Sequence, residues 1–458
     1  MVAHSLAPVL FKLATYAWPP PPPPATLALE RISSAILSGG IFSLVRTCLY
    51  FAAFLGCLLH VLMQHPWRSL VAASCVPYSL GALIITWRLI LIFFVDHVER
   101  FGGLRDPPNL FVDAYVLVCD EAAGWWWSSV LLLWVTVATP MLHAEATRRG
   151  MSTLLVLSYV SVAFLGAVSL AFPMFMAHLL TLPVLAPDRK PAATANGHNA
   201  LNRCLWPACV GASLVSIALL PWSVHASRAT FIVSLVALHT VLVLPVARAA
   251  VLERVGVSSS GSLRPEQSFL DARGYTYLAA LCACMHVAFS ARAIAQLWRE
   301  GIDDKRWRGI GSALVAAAAR NVCQESITVD AVLSSLASAA FIVVGAGREH
   351  RATAVTCVLL GLVAGPAAGL ALDCARREQV YAAWGHQTGL SDGTSASTRA
   401  RPGPGSKHLR QRRTASSPSR VAPKPAVPVS TPALTSLVDG RARGPTARKP
   451  RSVQHRGR

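Results

Sequence analysis

The sequence predicts an all-α, polytopic bundle of membrane-spanning helices that ends in a disordered, basic tail. Three observations predict it. Of the 458 residues, 53% are hydrophobic and only 14% charged, about half the charged share with which a soluble chain covers its water-facing surface. The apolar residues gather into runs of about 20, the length a helix needs to cross a bilayer core while satisfying its own backbone. The charge gathers at the end. From Ser391 to Arg458 there are 15 Lys and Arg against two acids, Asp392 and Asp439, which makes +13 of the net +20.

Residues 1–40 read as a lead-in. Residues 1–17 are apolar with Lys12 inside, and Pro19 to Pro24 follow, a run that favours extended polyproline II. The small-residue cleavage site of a signal peptide is missing. The transmembrane domain spans 41–375, with nine candidate spans at 47–64, 69–95, 124–144, 152–183, 204–222, 229–248, 274–296, 326–345 and 353–373. The fourth is long, and Pro173 is placed to kink or break it, so eight to ten spans are compatible. Residues 376–458 read as a tail too polar and proline-rich to fold. Its partners are anionic lipid headgroups. No nucleic acid is expected, because the folded body is only mildly basic.

Orientation follows from the positive-inside rule. With nine spans the tail is cytosolic and the N-terminus lies outside. Arg148–Arg149 and the 297–325 loop then lie inside, but the 249–273 loop, with Arg254, Arg264 and Arg273, falls outside against the rule. The expected setting is a multi-pass protein of the endoplasmic reticulum or another endomembrane.

The eleven cysteines mostly fall inside apolar runs, where a thiol packs as a small hydrophobe. Cys119, in a loop, is the one placed to react. Acids are scarce, and six of the 22 lie between Asp96 and Glu121. Asp96 and Glu99 share a helix face, and Asp113 lies between Phe111 and Tyr115. A solvated loop explains them, as does an acid-bearing mouth over a membrane cavity. Trp125, Trp126 and Trp127 suit a membrane interface. Three adjacent rings also point around most of a helix, so some face protein, and an aromatic face stabilises a cation. Glu145 and Asp330 border apolar spans near the expected cytosolic face, where a carboxyl group is expected to turn into the bundle. His239 and His286 lie inside apolar spans. Nucleotide-loop, HExxH and GxSxG motifs are absent, and Asp303–Asp304 does not begin a DDxxD diphosphate motif. No metal or cofactor is called for.

Asn109–Tyr115, Trp125–Ser129, Leu131–Trp134, Glu145, Arg148–Gly150 and Ser326–Asp330 together resemble fungal polytopic membrane proteins of the membrane-bound terpene cyclase type, found in meroterpenoid pathways such as that to ascofuranone. The resemblance covers about residues 65–375. It implies a metal-independent, acid-initiated cyclisation of a lipophilic prenylated epoxide or polyene. Among the acids, Asp330, Glu145, Asp113, Asp96 and Glu99 are the catalytic candidates. Phe111, Tyr115 and Trp125–Trp127 are the substrate-facing ones. A membrane acyltransferase using His239 or His286, a transporter with Arg88 and Asp330 along its path, and a non-enzymatic scaffold are the alternatives.

Overall fold

The computed structural model describes residues 40–67, 69–101, 110–184, 196–255, 270–299 and 306–397. The proline run and the basic stretch beyond 397 lie outside them. The described residues are helical, without a strand. In chain order the helices are α1 (Gly40–Gln64), α2 (Leu70–Phe101), α3 (Leu110–Cys119), α4 (Ala122–Arg148), α5 (Thr153–Leu165), α6 (Val168–Thr181), α7 (Asn196–Ala226), α8 (Arg228–Arg254), α9 (Ala272–Arg299), α10 (Arg306–Ala318), α11 (Val322–Val344), α12 (Arg351–Ala364) and α13 (Pro366–Ser397). Side-chain caps begin several of them. Ser152, Ser227 and Asn321 accept the N–H of Leu155, Thr230 and Gln324, each satisfying a donor that the first turn leaves open.

Six helices are long and apolar enough to cross a membrane: α2, α4, α7, α8, α9 and α11. Of the apolar window of α4, 89% is buried, against 22% to 44% for the other five, so α4 is the central helix. Hydrogen bonds within the core tie it to its neighbours. Trp134 Nε1 donates to Ser338 Oγ of α11, and Thr136 Oγ1 meets Ser213 Oγ of α7, both at 2.8 Å. The outer helices expose Leu59, Leu70, Val233, Tyr277 and Val363, an apolar surface compatible with lipid contact.

Two of the expected spans have a different form. Residues 152–183 are not one helix kinked at Pro173. Pro173 sits inside α6, and the break falls at Gly166 and the extended Ala167. The two arms run antiparallel. Tyr159 stacks edge-on against Phe175 at 5.0 Å, and its hydroxyl meets His178 Nδ1 at 3.2 Å, contacts that a continuous helix would hold about 25 Å apart. Residues 353–373 are likewise divided at Gly365, whose φ of 92° and ψ of 144° suit glycine almost alone. Here too the arms fold back on each other. A Cβ on Gly369 would sit 2.6 Å from the Cys357 carbonyl oxygen, so only glycine allows this approach of the two backbones.

The tail begins later than residue 376. α13 runs without a break to Ser397, and Arg377 and Glu378 are buried. Composition marked them as part of a basic tail, whereas ion pairing within the bundle holds them in the core.

Candidate functional site

The sequence candidates occupy separate places. α4 separates Trp125–Trp127 at its start from Glu145 near its end. Trp127 and Glu145 are 18 positions apart on α4, a rise of about 27 Å. We refer to the two ends of the bundle as the Trp125 end and the Arg148 end.

At the Trp125 end the three tryptophans join helices. Trp125 is buried with its ring edge-on to Phe289 of α9. Trp126 Nε1 donates to Ser290 Oγ at 2.8 Å, and Trp127 Nε1 to the Leu314 carbonyl at 2.9 Å. Asp113 of α3 pairs with Arg228 at 3.2 Å. Tyr115 lies on the same short helix, its hydroxyl 3.2 Å from His239 Nε2, while His239 Nδ1 meets the Leu235 carbonyl at 2.8 Å. Both ring nitrogens of His239 thus have partners. The His286 ring lies against Gly365 and 5.7 Å from Trp126. Asp96 is half-buried, Arg88 is exposed on α2, and Glu99 and Phe111 are placed only by position, on α2 and α3.

At the Arg148 end Glu145 belongs to a buried ion network. It pairs with Arg148 at 3.3 Å and Arg149 at 3.1 Å. Arg148 pairs with Glu378 at 2.6 Å, and Asp373 holds Arg376 and Arg377 at 2.6 and 2.7 Å. Burial, with the Glu145 charge beside it, pushes the Tyr381 phenol up to about 12. It therefore remains protonated and donates to the Glu145 carboxylate at 3.3 Å. The network clamps α13 onto α4. Sequence reading missed Glu378 and Tyr381, because their partners Arg148 and Glu145 lie more than 200 positions away; Asp373 and Arg377 pair within α13 itself.

Asp330 is neither beside Glu145 nor near its end of the bundle. It lies eight residues into α11, about 12 Å from that helix's start, at the apex of the α5–α6 hairpin. Its Oδ1 accepts the Ser169 N–H at 2.7 Å, and its Oδ2 the Val168 N–H at 3.1 Å. The other side of the apex is held by Trp87 Nε1 donating to the Gly166 carbonyl at 3.2 Å and by the Tyr50 hydroxyl donating to the Leu165 carbonyl. Val168 also lines an apolar cavity of about 20 Å³, with Trp134, Tyr159, Phe164, Phe172 and Phe175 among its walls. That is roughly the room one water molecule needs. Through Val168 the structure links one of the five acids to an aromatic cavity, and apart from Trp134 the aromatics are different from those the sequence singled out. In α5 and α6 they had read as ordinary apolar residues of one span.

Cys119 is buried, and burial pushes its thiol up, so it is not the reactive cysteine that its loop position suggested.

No family model, no curated protein and no solved structure matches this chain.

Proposed function

We propose that the chain is a seven-span membrane protein with two re-entrant hairpins, and that it cyclises a lipid-soluble prenylated epoxide or polyene by proton transfer. The crossing helices in this reading are α1, with its full 25 residues, and the six long apolar ones. Hairpins α5–α6 and α12–α13 both dip in from the Arg148 end. The arms α5, α6 and α12, of 13 and 14 residues, reach about 20 Å and cannot cross about 30 Å of hydrocarbon, and α13 turns back beside α12 before it runs on. Their apices are buried in protein, the condition for irregular backbone at membrane depth. Seven crossings, like nine, leave the N-terminus outside and the tail cytosolic, in the endoplasmic reticulum or another endomembrane. The 249–273 loop now shares the side of Arg148–Arg149, as the positive-inside rule prefers, and the 297–325 loop moves to the other.

One observation carries the chemistry: a buried carboxyl group, Asp330, accepts the backbone N–H of Val168, a residue that lines an apolar cavity with five aromatic walls. A carboxyl group at this depth is costly, and function is the common reason for keeping one. In the proposed reaction its proton passes to the epoxide oxygen and the C–O bond breaks. An alkene π pair then closes the new C–C bond, and a proton lost from the neighbouring carbon returns to the carboxylate. Aromatic faces stabilise the intermediate cation, and a dry cavity keeps water from quenching it. The cavity is too small for a prenyl chain, so α6 must draw away from α4 to admit one.

The test is expression in a heterologous fungal host fed a farnesylated aromatic epoxide. The expected product is an isomer of unchanged mass, with a carbocycle in place of the epoxide. General acids contribute about 10²–10⁴-fold in rate, so Asp330→Asn should lose the product by that factor while still accumulating in the membrane. The paired hairpins favour transport as the second reading, since discontinuous helices hold the substrate in many carriers. Failure to form an isomer, with Asp330-dependent uptake of a labelled substrate into vesicles, would replace cyclisation by transport.

A further inference from the structure

We infer that the Trp125 end carries a phosphate-binding pocket between the start of α4 and the last turns of α9. The motivating feature is an open cavity of about 380 Å³ lined by Ala122, Arg292, Gln296 and Arg299. The three α9 residues are spaced i, i+4 and i+7, which places them on one helix face. Their common face looks at the first residue of α4, whose backbone N–H donates to Gln296 Oε1 at 2.8 Å. The cavity therefore holds two guanidinium groups beside a helix N-terminus, which itself carries about half a positive charge.

The acid nearest in sequence to Ala122, Glu121, is held by Arg320. Among the described residues no carboxylate pairs with Arg292 or Arg299. Arg299 also complements the C-terminal dipole of its own helix, where its Nε donates to the Ala295 carbonyl at 3.2 Å. Dipole complementation does not account for Arg292, two turns earlier. That guanidinium lies over the Trp222 ring, 5.3 Å from its centroid, which orients a planar donor fork beside the cavity. A forked cation and a helix start recognise tetrahedral oxyanions, phosphate above all.

Depth identifies the source of the phosphate. Trp222 and Trp298 are exposed at this end of the bundle, at 66% and 49%, and Trp126 and Trp127 open α4 beside them. Tryptophan rings gather at headgroup level, so the pocket lies where the phosphate of an anionic lipid lies. This site is separate from the Asp330 cavity and stands or falls without it.

The experiment uses the full-length protein purified in a non-ionic detergent. Dioctanoyl phosphatidic acid, dioctanoyl phosphatidylcholine and inorganic phosphate are each titrated, with thermal stability and native mass spectrometry as readouts. Phosphatidic acid should bind and raise the unfolding temperature, phosphatidylcholine should bind far more weakly, and added salt should weaken both. Arg292→Gln with Arg299→Gln should weaken phosphatidic acid binding by about tenfold or more, since hydrogen bonds to charged groups are the strong ones. The Lys/Lys double variant, which keeps the charge, should retain most of it. Inorganic phosphate binding as tightly as the lipid, and lost in the Gln/Gln variant, assigns the pocket to a soluble phosphate. Equal binding by wild type and the Gln/Gln variant, or no binding of any phosphate ligand, overturns the proposal.

Discussion

Asp330 and Ser169 are 161 residues apart in sequence, yet a carboxyl oxygen of one accepts the backbone N–H of the other at 2.7 Å. The contact caps α6 from another helix through a buried side chain. Asp330→Ala leaves two buried N–H groups without an acceptor and should cost about 2 kcal/mol or more. Asp330→Asn keeps one acceptor and should cost less. Thermal unfolding in detergent measures both, and an Ala variant as stable as wild type would show that the carboxylate does not hold the apex.

The hairpins make a topological prediction. Single cysteines introduced at 260 and at 303 should label from opposite faces of sealed membranes, with 260 on the same face as the tail. A nine-span chain also separates them, but places 303, not 260, with the tail. Labelling of 303 from the tail's side contradicts the re-entrant reading.

The pair between Arg148 and Glu378 is buried on both sides. Removing Glu378 should cost about 3 kcal/mol or less, because the buried Arg148 then keeps its longer pair with Glu145 at 3.3 Å. Arg148→Met with Glu378→Leu should recover much of that loss. Truncation after residue 397 should leave a monodisperse protein, whereas truncation after 375 removes Arg377, Glu378 and Tyr381 and should abolish it. Size-exclusion profiles of tagged protein distinguish the two.

Gly365→Ala meets two obstacles at once. The backbone conformation excludes a Cβ, and that atom would lie 2.9 Å from the His286 ring. A loss of about 1–3 kcal/mol is expected, read as a lower unfolding temperature. Unchanged stability would mean that the turn relaxes into another form.

Cys119 should resist maleimide at pH 8 in the folded protein, and react once the chain is unfolded. The thiolate is the nucleophile, and burial raises the Cys119 thiol above its ordinary value, so its thiolate fraction at pH 8 is smaller than that of a free cysteine. A variant that lacks every other cysteine gives the clean measurement.

Much of the helix inventory was legible because it depends on local composition. The spans at 69–95, 124–144, 204–222, 229–248, 274–296 and 326–345 coincide with long apolar helices, each signalled by hydrophobicity within its own stretch. The hairpins were not legible. An apolar run of 32 residues is compatible with one long helix or two short antiparallel ones, and Pro173 pointed to the wrong break. The apex at Gly166 depends on donors from Trp87 and Tyr50 and an acceptor from Asp330, which come from three other helices. Asp330 itself was expected to turn into the bundle and is buried, but the cavity residues Phe172, Phe175 and Tyr159 were anonymous among apolar residues.

By itself, then, the sequence determined that this chain is helical, rich in apolar helices and basic at its end, because hydrophobicity and charge are properties of each segment alone. Tertiary structure decided which apolar segments turn back halfway, that residues 376–381 belong to the bundle, and which acid holds the hairpin apex. Those outcomes rest on single hydrogen bonds and ion pairs between residues 100 to 250 positions apart. Their strength comes from burial away from water, which no local stretch of sequence encodes.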